Sequence, residues 1–380
     1  MKGRFLATCC ALTIALVVQA TAQGAPRTAA KDPKSISQCI LGNPQARLRV
    51  GVRHHARPFS YHSSTLNEVL TAATPGPLAA SNYTGYVVKI CDAVLNEMRI
   101  GSETMAPLQS NDVSILDIDC AQSASLGEAG SRFRFINGSE KPLIDVLCDP
   151  ATITNDRRTG MMISAPIYLT GVSYITPKNM QRPRVPSDDG HCPSFLPPGS
   201  DKIFYLFGMV GNTTAAGDGV RAVLDADELP NDRDALIEFL KETDKCSGAA
   251  TTAALETGIQ GRGPVRFFRT HAEAARAFCN QEIYYYVGDR EIITANAASV
   301  PGCDFDNGTR TFTTDRYAIF GRIDYNEKDR ALLVARFFEV LSQKIVSHPS
   351  ILDQAFYDTF HPTRPTDALD FFFRSVRGAP

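Results

Sequence analysis

Apolar residues alternate along the chain at Leu48, Val50 and Val52, and the run breaks at Arg57-Pro58. A period of two predicts a strand with one buried face, so Arg53 is expected at the strand's edge. A different period follows Gly85-Tyr86. Val87, Ile90, Cys91, Val94, Leu95 and Met98 recur at helical spacing, which predicts an amphipathic helix whose stripe is core. Further strands are predicted at Phe133 to Ile136, Asp145 to Cys148, Ile203 to Met209, Val265 to Phe268, Ile283 to Val287 and Arg316 to Phe320. Helices are predicted at Asp232 to Glu242, at Ala272 to Phe278, along Leu333, Phe337, Val340, Leu341 and Ile345, and around Ile351 to Phe360. Strands alternating with helices imply an α/β fold with a mostly parallel sheet. Ligands of such sheets gather at loops beyond the carboxyl ends of the strands.

Two stretches lack a period and read as insertions. The first, His62 to Thr84, is rich in Ser, Ala, Thr, Pro and Gly, with one helical turn expected at Leu66 to Ala73. The second, 102–130, is polar and acidic from Asn111 onward. Six prolines between Thr176 and Ser200 mark a loop just inside the second half of the chain.

With 380 residues, 43% of them hydrophobic, the chain can fill two ordinary cores. A formal charge of -2 gives no field that would seek a polyanion, so nucleic acid is not an expected partner. Any anion must be met by local arginines. Lys2, Arg4, an apolar run from Phe5 to Val18 and the small residues Ala20 and Ala22 read as an export signal over 1–22. Residues 23–47 then form a polar leader, and the mature chain is expected in the periplasm. Lipidation at Cys9 fits poorly because too little apolar sequence precedes it, and a retained anchor is the alternative. After cleavage eight cysteines remain: Cys39, Cys91, Cys120, Cys148, Cys192, Cys246, Cys279 and Cys303. An even number in an exported chain favours disulfides, although spacing does not reveal their pairing. No Cys/His spacing suggests zinc, and the adjacent His54 and His55 should point to opposite faces of an extended segment, so no metal is expected. G-x-S-x-G, H-E-x-x-H and G-x-x-x-x-G-K are all missing, and no catalytic residue or cofactor is assigned.

The segments Leu48 to Tyr61 (LRVGVRHHARPFSY), Gly85-Tyr86 and Ala151 to Tyr168 (ATITNDRRTGMMISAPIY) resemble the extracytoplasmic solute-binding proteins of amino-acid ABC importers. The nearest likeness is to the glutamate/aspartate branch. That resemblance implies the type 2 periplasmic-binding fold, two lobes joined by a double crossover hinge. Lobe 1 would hold 48–172 and 316–380, and lobe 2 would hold 173–315. It also implies a monomeric receptor that captures an acidic amino acid and passes it to a membrane permease. In the implied site Arg157 grips the α-carboxylate, helped by Thr152 and by Thr213 or Thr214. Asp289 accepts from the ammonium, and Arg53 with His271 meets a distal carboxylate. Asn212 stands where the family has Gly in its G-T-T turn. Two alternatives remain open: a periplasmic enzyme on this fold, resembling cyclohexadienyl dehydratase, and a sensory or adaptor protein.

Overall fold

The computed structural model describes residues 35–63, 76–100, 106–124, 132–138, 142–178, 205–211, 213–219, 222–223, 265–308 and 310–377. The expected signal, the turn at Leu66 to Ala73, most of the proline-rich loop, Asn212, the helix at Asp232 to Glu242, Cys192 and Cys246 lie outside them.

The first half runs β1 (Ile40–Leu41), β2 (Leu48–Val52), β3 (His55–Ala56), β4 (Ser60–His62), β5 (Tyr83–Thr84), α1 (Tyr86–Met98), β6 (Val113–Asp117), α2 (Ile118–Ala124), β7 (Val146–Thr152), β8 (Met162–Ile163) and β9 (Tyr168–Thr170). A second set follows: β10 (Val172–Pro177), β11 (Tyr205–Val210), β12 (Val265–Phe268), α3 (His271–Cys279), β13 (Ile283–Asp289), α4 (Arg290–Ala298) and β14 (Phe305–Asn307). The chain closes with β15 (Asp315–Gly321), α5 (Lys328–Val346), α6 (Ile351–Phe360) and α7 (Asp367–Arg377).

Among the described residues the strands form two main sheets, which make this a two-lobed α/β fold. One has the order β1-β6-β2-β7-β15-β8, with β9 also on β15. The other has the order β12-β11-β13-β10-β14. The chain passes from the first to the second between Thr170 and Val172 and returns between Asn307 and Asp315. The two passages are pressed together, since a Cβ on Gly171 would stand 2.0 Å from the carbonyl oxygen of Thr313. Each sheet is buried on both faces. Val146 and Cys148 of β7 join one apolar cluster with α1 and α5, while Leu147 and Ala151 join another with Phe133, Phe135 and Phe320. Alternation with a period of two divides them.

Parallel pairing of β2 with β6 and β7, and of β11 with β12 and β13, sets the carboxyl ends of three strands along one edge in each lobe. The site residues follow from those ends. Arg53 comes directly after β2, Asp119 two residues after β6, and Thr152 closes β7. In the other lobe Thr213 and Thr214 follow β11, His271 follows β12, and Asp289 closes β13.

The Pro-Phe-Ser and Gly-Tyr motifs have a structural cause. The amides of Tyr86 and Val87, orphan donors at the start of α1, reach the carbonyls of Pro58 and Phe59 at 3.1 and 3.0 Å. Gly85 makes that approach possible, with φ of +116° and a hypothetical Cβ 2.6 Å from the Phe59 carbonyl. A Gly85→Ala change is therefore expected to cost about 1–3 kcal/mol, read as a lower melting temperature. Phe59 itself is core, meeting Tyr86, Tyr168, Tyr317 and Phe360 edge-on. It has no exposed face for a ligand.

Two expectations need correction. Phe133 to Ile136 is not a strand: Arg134–Asn137 is a helical turn, and short apolar runs do not separate the two by period. The polar region read as an insertion contains β6, the buried neighbour of β2, and α2. Its four apolar or small residues, Val113 to Leu116, are hidden in sequence by acidic neighbours on both sides. Beyond Phe360, α7 buries Leu369, Phe372 and Phe373. Among the described residues three disulfides are present, Cys39–Cys120, Cys91–Cys148 and Cys279–Cys303. Among the described residues no helix is long and apolar enough to cross a membrane.

Candidate ligand-binding site

Arg157 sits in the turn Asn155–Arg158 just past β7, where the Thr154 hydroxyl caps its amide. Its Nη1 donates to the Thr152 carbonyl at 2.9 Å, and its guanidinium lies 4.6 Å from the centre of the Phe133 ring. These contacts hold the fork in place without neutralising it. Among the described residues no carboxylate comes within 4.0 Å of it. Burial, with Arg132 nearby, lowers its pKa to about 10, so it stays charged at neutral pH. Arg158 is exposed.

Asp289, at the end of β13 in the other lobe, is among the acids whose charge favours the charged form of Arg157. The Tyr317 hydroxyl of β15 donates to Asp289 Oδ2. Oδ1 is shielded from solvent and accepts nothing. Burial pushes this carboxyl up to about 7 against the Tyr317 bond, and Asp315 and Glu291 add to the rise. The lobes touch on either side of the pair. Thr152 and Thr214 bring their hydroxyls to 3.4 Å, and Asn296 Nδ2 donates to the Arg57 carbonyl at 3.3 Å. Thr213 turns inward, its hydroxyl donating to the Val210 carbonyl at 2.8 Å.

The other end of the cleft departs from expectation. Arg53 is 3% exposed, and its Nε donates to Asp119 Oδ1 at 2.8 Å. Asp119 Oδ2 accepts the amides of His54 and His55, each at 3.0 Å. Burial opposes the charged form of this carboxylate, but Arg53, His54 and His55 together hold it well below the usual range. Arg53 is thus one half of an ion pair, not the free cation that a distal carboxylate would require. His271, capped into α3 by Thr270, is 4% exposed and shares a 3.1 Å contact between Nδ1 and the Tyr286 hydroxyl. Burial and then Arg53 push its pKa well down, which keeps the ring neutral.

Four residues here carried no assignment from sequence: Asp117, Asp119, Arg132 and Asp149. Arg132 Nε lies 2.6 Å from Asp149 Oδ2, and both are buried. Asp117 and Asp119 directly follow an apolar run, and charges at the carboxyl end of a strand were the available signal. The rings of His54 and His55 do not point apart but stand 3.8 Å from centre to centre, because both amides turn to one carboxylate. His54, Asp117 and Asp119 bring ligand atoms within 4.8 Å of one another. Those atoms are already engaged by Arg53, backbone amides and the Tyr83 hydroxyl, and a guanidinium next to Asp119 fits a metal ion badly.

At the carboxyl ends of the strands, Arg157 thus stands without an ion-pair partner among the described residues, and Asp289 keeps one shielded oxygen without a donor. No protein-family profile matches the chain, and no curated protein matches it. Among solved structures it is similar to the arginine-, lysine-, histidine-binding protein ArtJ from Geobacillus stearothermophilus. Identity is 14% over 85% of this chain and 99% of that one, with a TM-score of 0.46. A mutant of ArgBP from T. maritima gives 16% identity over 82% and 94% of the two chains, at a TM-score of 0.46. The ancestral amino acid-binding protein AncCDT-1, a precursor of cyclohexadienyl dehydratase, gives 15% over 82% and 95%, at 0.42. Likeness at this level carries no argument about what this chain binds.

Proposed function

We propose that the protein is an exported receptor whose lobes close on an amino acid for delivery to a membrane permease. The observation that carries this reading is a half-buried guanidinium, Arg157, with no ion-pair partner among the described residues, together with Asp289, whose Oδ1 accepts no hydrogen bond. Arg157 presents donors to an α-carboxylate, and Asp289 Oδ1 waits for an α-ammonium. Thr152 and Thr214 stand at the junction of the lobes, where a carboxylate held by Arg157 would also meet a hydroxyl. Secretion fits the oxidised cysteines and the basic, apolar amino terminus. The sequence resemblance to the glutamate/aspartate branch suggested an acidic ligand, but the Arg53–Asp119 pair removes the cation on which that preference rested.

Calorimetry on the mature chain with the amino acids tests the reading, and saturable binding of one of them is the expected result. The titration should also depend on pH. Asp289 must be ionised to accept an ammonium, while its carboxyl titrates near 7. Binding should therefore release a proton below pH 7, and affinity should fall toward tenfold for each unit of acidification. Comparison of binding heats in buffers of different ionisation enthalpy measures the released proton. A buffer-independent heat at pH 6 would remove Asp289 from the site.

One observation favours a second reading, an enzyme on the same scaffold. Asp149 is a solvent-shielded acid within β7, and burial raises its pKa despite Arg132. Conversion of a carboxylate-bearing ring substrate by the purified chain would support it, and binding without turnover would count against it.

A further inference from the structure

The charges lining the chamber pair off almost completely. Arg53 holds Asp119, His54 holds Asp117 with Nδ1 2.7 Å from the carboxylate, and Arg132 holds Asp149. Asp117 also accepts the Tyr83 hydroxyl at 2.7 Å and the Cys120 amide at 3.0 Å. Near the crossovers, Glu291 takes the Thr170 hydroxyl and Asp315 the Thr313 hydroxyl, each at 2.5 Å. Arg157 has no ion-pair partner among the described residues, and Asp289, like Glu291 and Asp315, is met by a hydroxyl and not by a cation.

Resting on the receptor reading above, we infer that the ligand is an amino acid with an uncharged side chain. Its carboxylate would meet Arg157 and its ammonium Asp289, and a side chain directed toward Arg53, Asp119, His55, His271 and Tyr286 would meet groups that are already paired or neutral. This end offers hydrogen-bonding groups but no net charge. Burial and the neighbouring His54 lower the pKa of His55 to about 4, so it joins His271 as a neutral ring. A second carboxylate here would be desolvated against Asp119, with Arg53 already spent on that aspartate. A side-chain ammonium or guanidinium would be desolvated against Arg53 with no free acid to receive it. Either leaves a desolvated charge without a partner, whereas an amide or hydroxyl needs only its hydrogen bonds.

The test is a competition panel of the twenty amino acids against the full mature chain at pH 7.5. The tightest ligand should have an uncharged side chain, and glutamine and asparagine should each outcompete glutamate and aspartate by at least about tenfold. Tightest binding by glutamate, aspartate, lysine or arginine overturns the inference. Failure of all twenty to bind overturns the receptor reading itself, so the two failures are distinct. A second measurement uses Asp119→Asn, checked by thermal melting for a folded state. Freeing the Arg53 charge should raise the affinity for glutamate relative to glutamine by about tenfold or more. An unchanged ratio in the folded variant counts against the charge assignment.

Discussion

Replacement of Arg157 by alanine should abolish ligand binding while leaving the fold standing. In the proposed pose its guanidinium makes two parallel charge-assisted bonds to a carboxylate shielded from water, each contributing about 1.5–3 kcal/mol. Their loss amounts to roughly 3–6 kcal/mol, or about a 10²- to 10⁴-fold weaker complex. The folded state has less to lose. Arg157 has no carboxylate partner, and its internal ties are one bond to the Thr152 carbonyl and the face of Phe133. Burial already works against its charge, so the unliganded melting temperature should move by only a few degrees. Arg157→Lys keeps a cation without the planar fork and should fall between. The exposed neighbour Arg158 supplies the control: Arg158→Ala should bind as the parent does. Titration calorimetry on the three variants decides the matter, and full affinity in Arg157→Ala would exclude the pose.

The family resemblance, and not a count of strands, named Arg157 and Asp289 as ligand contacts; what the apolar runs made legible is where the two residues stand. Each ends or directly follows a strand whose apolar run stands clear of its neighbours, Asp145 to Cys148 for one and Ile283 to Val287 for the other. Parallel strands buried on both faces are written as continuous apolar residues, and the loops at their carboxyl ends can be found by counting. Gly85 and Phe59 were legible as well, although their motif proved to encode the capping of α1 instead of ligand contact. The partner of Arg53 was not legible. Asp119 is 66 residues away, behind β6, and that strand is five residues long between acidic and polar flanks. A periodicity of two over so short a run is outweighed by its surroundings, so the segment read as an insertion. Arg132 was hidden differently, since it precedes a helical turn whose apolar residues mimic a strand. Charge pairing at long range depends on sheet register, and register is not written in either partner's own neighbourhood. The resemblance placed a positive charge after β2 correctly, but whether that charge is free depends on the strand alongside.

The largest effect on stability should come from Asp119→Ala. This carboxylate is 2% exposed and holds three donors at once: Arg53 Nε and the amides of His54 and His55. Removing one partner of a buried ion pair costs about 3–5 kcal/mol, because the other charge remains desolvated. Two orphaned amides add to that. At about 1 °C per kcal/mol for a chain of 380 residues, the melting temperature should fall by roughly 5 °C or more. Arg53→Met combined with Asp119→Ala should lose less than the sum of the single changes, since the stranded guanidinium is gone, and the double-mutant cycle measures the pair. The pH dependence has a definite sign. A carboxyl held below its unfolded pKa stabilises the fold above about pH 4, and that stability is lost as pH falls through the depressed value. The parent should therefore lose more stability than Asp119→Ala on strong acidification. If Asp119→Ala melts with the parent at pH 7, Arg53 is not held there. A free guanidinium at that end of the chamber would restore the case for an acidic ligand.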